Sequence, residues 1–241
     1  MRSLLDRYDE RVLQEMEAEA EADGFPIVGR TVGVTLEVLA LTVGARRVCE
    51  LGSGFGYSAY WFSRAVGPDG EVHCTDGDPA NEPKALAYLT RAGLDAPVRW
   101  HVGDAVTYLN ATEGEFDVVY NDIDKDGYPD AWRAARERVR VGGLYLCDNV
   151  LWYGRVTEPR PERADTRAIL EHNRLVAEDE RFRSAIVPTR DGVLVAVRVG
   201  GPRPAGPASS RLPLTGGQPR APGPEEGGTE DRKGGPFDGV E

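Results

Sequence analysis

Three short stretches carry residues able to do chemistry. The first, Glu50-Leu51-Gly52-Ser53-Gly54-Phe55-Gly56-Tyr57-Ser58, closes an apolar run and opens a helical pattern. Glycines at 52, 54 and 56 let the backbone turn tightly and approach a ligand. The helix start that follows offers unpaired N–H groups. A dinucleotide fingerprint would need glycine at position 57, where Tyr57 stands. The leading acid, Glu50, suits a ligand with a positive amine better than a pyrophosphate. Without a ligand, the same stretch is simply a tight strand-to-helix turn. The second stretch is Asp122-Ile123-Asp124-Lys125-Asp126-Gly127, and the third is Asp148-Asn149. The acids at 122, 124 and 126 imitate a calcium-binding EF-hand loop. The imitation fails, because the twelfth position is Arg133 rather than a bidentate Glu and a strand pattern precedes the loop. Asp122, Asp148 and Asn149 together offer three oxygen donors without thiol or imidazole. That set suits a hard divalent cation with open positions; the plain alternative is a group of acids capping helices. Asp76, about 20 residues past the glycine turn, can accept both hydroxyls of a ribose or serve as a turn acid before Asp78-Pro79. Asp104 and Ala105 fall where a base ring would lie.

These residues are useful only if the chain brings them together, and the hydropathy pattern says how. Strand patterns cover 46–51, 71–76, 97–102, 116–121 and 142–148. Helical patterns cover 57–66, 79–92, 104–111, 127–139 and 164–179. Before them, Leu4, Leu5, Tyr8, Val12 and Met16 share one face of a helix over 3–22, ended by Gly24 and Pro26, and a second helix fits 32–43. The stretch SAIVPTRDGVLVAVRV reads as a hairpin turning at Asp191-Gly192 and adds an antiparallel strand. Strict β-α alternation predicts an α/β fold, a mostly parallel sheet covered by helices on both faces. Ligands then bind beyond the carboxyl ends of the strands, which is where Gly52, Asp76, Asp104, Asp122 and Asp148 stand.

Composition narrows the partners. The 241 residues carry 29 Lys+Arg against 40 Asp+Glu, a net charge of −11. This argues against a grip on nucleic acid or an anionic membrane, which needs clustered positive charge. Nothing resembles a signal peptide or an apolar run of the roughly 20 residues a bilayer requires. Cys49, Cys74 and Cys147 lie far apart in apolar stretches, which predicts buried, reduced thiols in a cytoplasmic protein. His73, His101 and His172 form no cluster and are taken as structural. After Val199 the composition changes: 11 glycines and 8 prolines occupy the 42 residues from 200 to 241. Such a segment cannot bury enough surface to offset the entropy of ordering it. The expectation is one domain over 1–199 and a disordered tail over 200–241.

The segments ELGSGFGYSA at 50–59, DIDK at 122–125 and DNVLW at 148–152, in that order, resemble class I S-adenosylmethionine (SAM)-dependent O-methyltransferases of the cation-dependent catechol/caffeoyl-CoA type. The resemblance covers about residues 25–199. It implies a Rossmann-like seven-stranded, mostly parallel sheet with an antiparallel last strand, and a homodimer. By position, Val28 would line the cofactor site, and Glu50, Gly52, Ser53 and Ser58 would hold the methionine end. Asp76 would hold the ribose, with Asp104 and Ala105 at the adenine. Asp122, Asp148 and Asn149 match the metal ligands for Mg²⁺ or Ca²⁺, with Asp122 also beside the cofactor. Lys125 matches the general base, and Trp152 and Tyr153 would wall the acceptor pocket. Two positions depart from the pattern: Val34 stands where Gln is common, and Ser53-Gly54-Phe55 is unusually glycine-rich. The implied reaction moves a methyl group from SAM to a hydroxyl of a small, catechol-like acceptor. A metal-independent SAM methyltransferase acting on another small molecule is the alternative. Tyr57 disfavours a nicotinamide oxidoreductase. The net charge and the lack of a Pro-Pro-Tyr/Phe motif after strand four disfavour a nucleic-acid amino-methyltransferase.

Overall fold

A computed structural model describes residues 10–200 apart from residue 95. Helix α1 (Arg11–Asp23) and helix α2 (Gly29–Thr42) lead into an alternating series. The series runs β1 (Arg47–Leu51), α3 (Tyr57–Val66), β2 (Glu71–Asp76), α4 (Asn81–Arg91), β3 (Val98–Val102), α5 (Ala105–Ala111), β4 (Phe116–Asn121), α6 (Tyr128–Ala135) and β5 (Val139–Cys147). Helix α7 (Ala164–Glu178) and the hairpin β6 (Phe182–Val187) and β7 (Val193–Arg198) complete it. The strand order is β3-β2-β1-β4-β5-β7-β6. β7 runs antiparallel to β5 and β6, so six strands share one direction and the last is reversed. The expected fold class is therefore observed.

Side-chain alternation produces the two helical layers. Val48, Val118, Tyr120, Leu144 and Leu146 face a core built with Leu13 and Met16 of α1, Leu36 of α2 and Trp61 of α3. Their neighbours Cys49, Val119, Tyr145 and Cys147 face a second core with Leu109 of α5, Trp132 of α6 and Ile169 of α7. Period-two alternation with both faces covered is what a buried parallel sheet requires. All three cysteines are free and buried, as expected. No described helix is long and apolar enough to cross a membrane.

Element boundaries depart from expectation at several places. The helix expected over 127–139 is a 3₁₀ turn at Lys125–Gly127 followed by α6, which ends at Ala135. Val139 already pairs with Phe116 in the sheet, so β5 begins earlier than 142. A register shift between Phe116 and Val118 permits this early start, and Asp117 at the shift accepts the N–H groups of Arg46 and Arg47, both at 2.7 Å. Helix α2 begins at Gly29 rather than 32. In the N-terminal helix expected over 3–22, residues 3–9 lie outside the described residues; Glu10 is an extended N-cap and the helix runs from Arg11. The tail over 201–241 also lies outside the described residues.

Candidate active site

Strand register determines which side chains meet. Leu51 pairs with Thr75 on one side and with Asn121 on the other, and Asn121 pairs with Cys147. The next residues, Gly52, Asp76, Asp122 and Asp148, therefore form one row along the carboxyl edge of the sheet. The ladder continues past the strands, with Asp122 N–H donating to Leu51 O (2.9 Å) and Asp148 N–H to Asn121 O (3.1 Å). Gly52 has φ +84°, and a Cβ there would lie 2.7 Å from Asp122 O. Only glycine lets the two turns approach this closely. Above this row lies a cavity of about 860 Å³.

Of the residues singled out by sequence, Val28, Gly52, Ser53, Ser58, Asp76, Asp104, Ala105, Asp122, Lys125, Asp148 and Asn149 all line this cavity, as do Trp152 and Tyr153. Glu50 lies beneath it, fully buried, and neither carboxylate oxygen has a hydrogen-bond partner. Burial pushes its carboxyl up to about 7 against the pull of the nearby Ser53 and Ser58 hydroxyls, and the charge of Asp122 adds to the rise. A buried, unpaired carboxylate is costly and would be relieved by a positive group from a ligand. Asp76 is already engaged: it accepts N–H bonds from Gly54 and Asp78 and one from the Asn81 amide, each at 2.9 Å. It thus serves as a turn acid while standing at the cavity wall. Asp104 caps α5, accepting from Thr107 N–H at 2.7 Å, and hydrogen bonding from Thr107 holds its carboxyl below the usual range.

The other end of the cavity is strongly polar. Asp148 is 3% exposed, and its Oδ1 is buried without a partner. Burial first, and then the charge of Asp122, push its carboxyl up to about 7, with the Asn149 N–H, Lys125 and Arg190 opposing. Asp122 is raised by burial and lowered by Lys125. Lys125 Nζ donates to Asp122 Oδ1 (3.1 Å) and Tyr128 Oη (2.7 Å), and Tyr128 Oη donates to Asp148 O (3.0 Å). Lys125 thus pairs with Asp122 rather than with its sequence neighbours Asp124 and Asp126. A buried Asp148 oxygen without a partner, under the charge of Asp122, fits a hard cation. Among the described residues no group of three or more His, Cys, Asp or Glu gathers, so a cation here would rest on Asp122, Asp148 and the Asn149 amide. Further cavity residues escape the sequence reading, among them Phe25 and Ile27 in the α1–α2 loop and Arg190 in the β6–β7 turn. For Arg190 the signal exists. β6 runs with the parallel strands, so its C-terminal turn must lie at their carboxyl edge.

Sheet order, reversed last strand and a cavity across the strand ends define a Rossmann-like α/β enzyme. Residues 6–199 match the O-methyltransferase family. The chain is 30% identical over 179 residues to caffeoyl-CoA O-methyltransferase 2 of Populus trichocarpa, covering 69% of this chain and 72% of the relative. It is 30% identical over 173 residues to tapetum-specific methyltransferase 1 of Arabidopsis thaliana, covering 68% and 74%. Among solved structures it resembles the O-methyltransferase TomG from Streptomyces achromogenes in complex with SAM, with TM-score 0.74, 27% identity and coverage of 80% and 91%. It also resembles the O-methyltransferase from Bacillus cereus in complex with SAH, with TM-score 0.73, 26% identity and coverage of 79% and 91%. The chain belongs to the O-methyltransferase family and is a SAM-dependent enzyme.

Proposed function

We propose that this enzyme methylates a hydroxyl of a small, catechol-like acceptor with the help of a divalent cation held by Asp122, Asp148 and Asn149. The observation that carries the reading is the buried Asp148, with an unpartnered Oδ1 and a carboxyl raised by its neighbour Asp122. A relative named for caffeoyl-CoA supports the acceptor class. Transfer is an in-line displacement at the methyl carbon, in which the acceptor oxygen attacks and a neutral thioether leaves. The enzyme's task is alignment and supply of an ionised hydroxyl, and alignment alone can contribute about 7–11 kcal/mol. A bound Mg²⁺ or Ca²⁺ would lower the hydroxyl's pKa and orient two adjacent oxygens.

The chain's own residues divide the remaining work. Glu50 receives the amine of the methionine end, with Ser53 and Ser58 beside it. Gly52 keeps the turn close to Asp122, so cofactor and acceptor ends stay in contact. Asp76 meets the ribose, and Asp104 with Ala105 bounds the adenine. Lys125 Nζ, 3.1 Å from Asp122, takes the acceptor's proton once its own has passed to solvent. Trp152 lies beside it, with Nζ 5.7 Å from the ring centroid, and walls the acceptor's ring.

The Lys125–Asp122 pair also favours a second reading, in which the ammonium alone neutralises the acids and no metal is needed. Transfer from labelled SAM to a catechol panel, with and without chelator, separates the two. The expected result is loss of activity on chelation, recovery with Mg²⁺ or Ca²⁺, and a fall of at least about a hundredfold in Asp148→Ala, on the scale of losing one transition-state electrostatic contact. Full activity of exhaustively chelated wild type would decide for the metal-free reading.

A further inference from the structure

Four non-glycine residues among those described have positive φ: Asn149 (57°), Trp152 (47°), Tyr153 (55°) and Arg190 (47°). All four line the same cavity. A left-handed backbone is strained for a non-glycine residue and persists where surrounding structure over-determines it. That structure is visible. The turn carrying Arg190 is stapled to the loop carrying the other three: Val150 N–H donates to Gly192 O (3.1 Å), Leu151 N–H to Asp191 O (2.9 Å) and Tyr153 N–H to Asp191 Oδ1 (2.6 Å). The fold thus holds two aromatic rings, an amide and a guanidinium in one strained wall at the acceptor end.

Arg190 is the unexplained member. Among the described residues lining the cavity, the cations are Lys125 and Arg190. The Lys125 ammonium is committed to Asp122, Tyr128 and the Ile123 carbonyl. The Arg190 guanidinium donates from Nη1 to Ile27 O (2.8 Å) and is otherwise exposed, leaving its Nη2 and Nε donors for a ligand. Gly29 leaves room for it, since a Cβ there would lie 2.8 Å from Nη1. The turn that carries it is bonded to Val150 and Leu151, which follow Asp148 and Asn149 directly in the chain, so an anion it holds lies at the acceptor end of the cavity.

We propose that Arg190 selects the acceptor by pairing with its carboxylate, which makes the substrate a hydroxylated aromatic acid whose ring lies along Trp152. This rests on the catechol-like reading of the acceptor. The anion must sit on the ring or a short side chain. The phosphates of a coenzyme A thioester, a whole pantetheine arm away from the acyl group, do not meet that condition.

The test compares 3,4-dihydroxybenzoate with its methyl ester and with 3,4-dihydroxybenzylamine, in wild type, Arg190→Gln and Arg190→Glu. Wild type is expected to favour acid over ester in kcat/KM by about ten- to a hundredfold, the scale of one charge-assisted pair. Arg190→Gln should bring the acid-to-ester ratio near one, and Arg190→Glu should turn the preference toward the amine. A merely structural Arg190 would lower all three together, and that result overturns the proposal. So does a wild type indifferent to the acid, or one in which Arg190→Gln impairs caffeoyl-CoA but not the acid. Calorimetry of the acid and ester binding to the SAH-saturated protein gives the same comparison without turnover. Charge-selective binding without transfer would retain the role of Arg190 and sink the catechol methylation; transfer without charge selectivity would do the reverse.

Discussion

Glu50 and Lys125 show how much chemistry one side chain's surroundings can carry. Glu50 is buried without a hydrogen-bond partner, and its carboxyl is raised from 4.5 to about 7. A carboxyl raised on folding binds more protons in the folded state, so its contribution to stability falls as pH rises from about 4.5 through about 7. Above that window the buried charge costs about 3 kcal/mol. Glu50→Gln removes the charge and keeps the shape. The SAH-free variant should melt higher than wild type at pH 8, the gain should vanish near pH 4, and SAH should bind at least about tenfold more weakly by calorimetry, the scale of one charged hydrogen bond. A variant that melts higher and binds SAH normally would remove Glu50 from the cofactor site. Lys125 separates binding from catalysis. Lys125→Ala should still bind the cation and SAH, since neither rests on its ammonium. Turnover should fall by about a hundredfold or more, the usual worth of a general base, and recover partly at higher pH as solvent deprotonates the acceptor. A uniform loss at every pH would assign Lys125 to holding Asp122 in place.

At the scale of elements, Gly52 is where the β1–α3 turn and the β4 turn meet. Alanine there would carry the left-handed penalty of about 1–3 kcal/mol and put its Cβ 2.7 Å from a backbone oxygen that cannot swing away. Gly52→Ala should therefore lower the melting temperature and also abolish SAH binding and turnover. By contrast, Gly44→Ala, at another left-handed glycine with nothing within 4 Å, should cost stability alone. Equal SAH binding by both variants would show that the close approach is unnecessary. Legibility follows the same physics. Strands β1, β2 and β4 could be read because each is a short apolar run with polar punctuation. The row Gly52, Asp76, Asp122, Asp148 could be read because β-α alternation sends every strand's carboxyl end to one edge. What could not be read was long-range. The start of β5 at Val139 depends on its pairing with Phe116 and on a register shift invisible in either segment. Phe25 reaches the cavity because its ring packs edge-on against Phe55, with centroids 5.1 Å apart, a contact across two elements that local periodicity does not encode. Arg190 was hidden in a turn read for its hairpin geometry, while its function comes from the sheet order that inserts β7 between β5 and β6.

At the scale of the whole molecule, two predictions concern what stabilises the fold. The Gly/Pro-rich segment has almost no large apolar residues, so we propose that the domain over 1–199 stands without it. Deleting 201–241 should leave the melting temperature and turnover nearly unchanged, and a drop of several degrees would mean that the segment docks on the fold. Acid stability is a collective property with an identifiable largest histidine contribution. His172 is buried between sheet and helix, with Nε2 2.9 Å from Tyr145 Oη and Nδ1 2.9 Å from Asn173 Oδ1. The Asn173 oxygen can only accept, so Nδ1 carries the proton, Nε2 accepts from Tyr145, and the ring is neutral. Burial lowers its pKa from 6.5 to about 4. Between those values the unfolded chain binds a proton that the folded protein refuses, so stability contributed by this site is lost as pH falls from about 6.5 to about 4, by about 3 kcal/mol in all. Glu50 and Asp148, raised to about 7, act in the opposite sense over part of that window, so the wild-type curve alone does not isolate the histidine. The difference between wild type and His172→Gln does, because both carry the same acids. At pH 7.5 the variant should be the less stable, having lost the edge contact between His172 and Tyr128 at 5.4 Å. Urea unfolding at successive pH values should show that deficit shrinking below about pH 6.5 and reversing before pH 4. Parallel curves across the whole range would mean that His172 protonates in the folded protein as readily as in the unfolded chain, and that its buried hydrogen bonds do not hold it neutral.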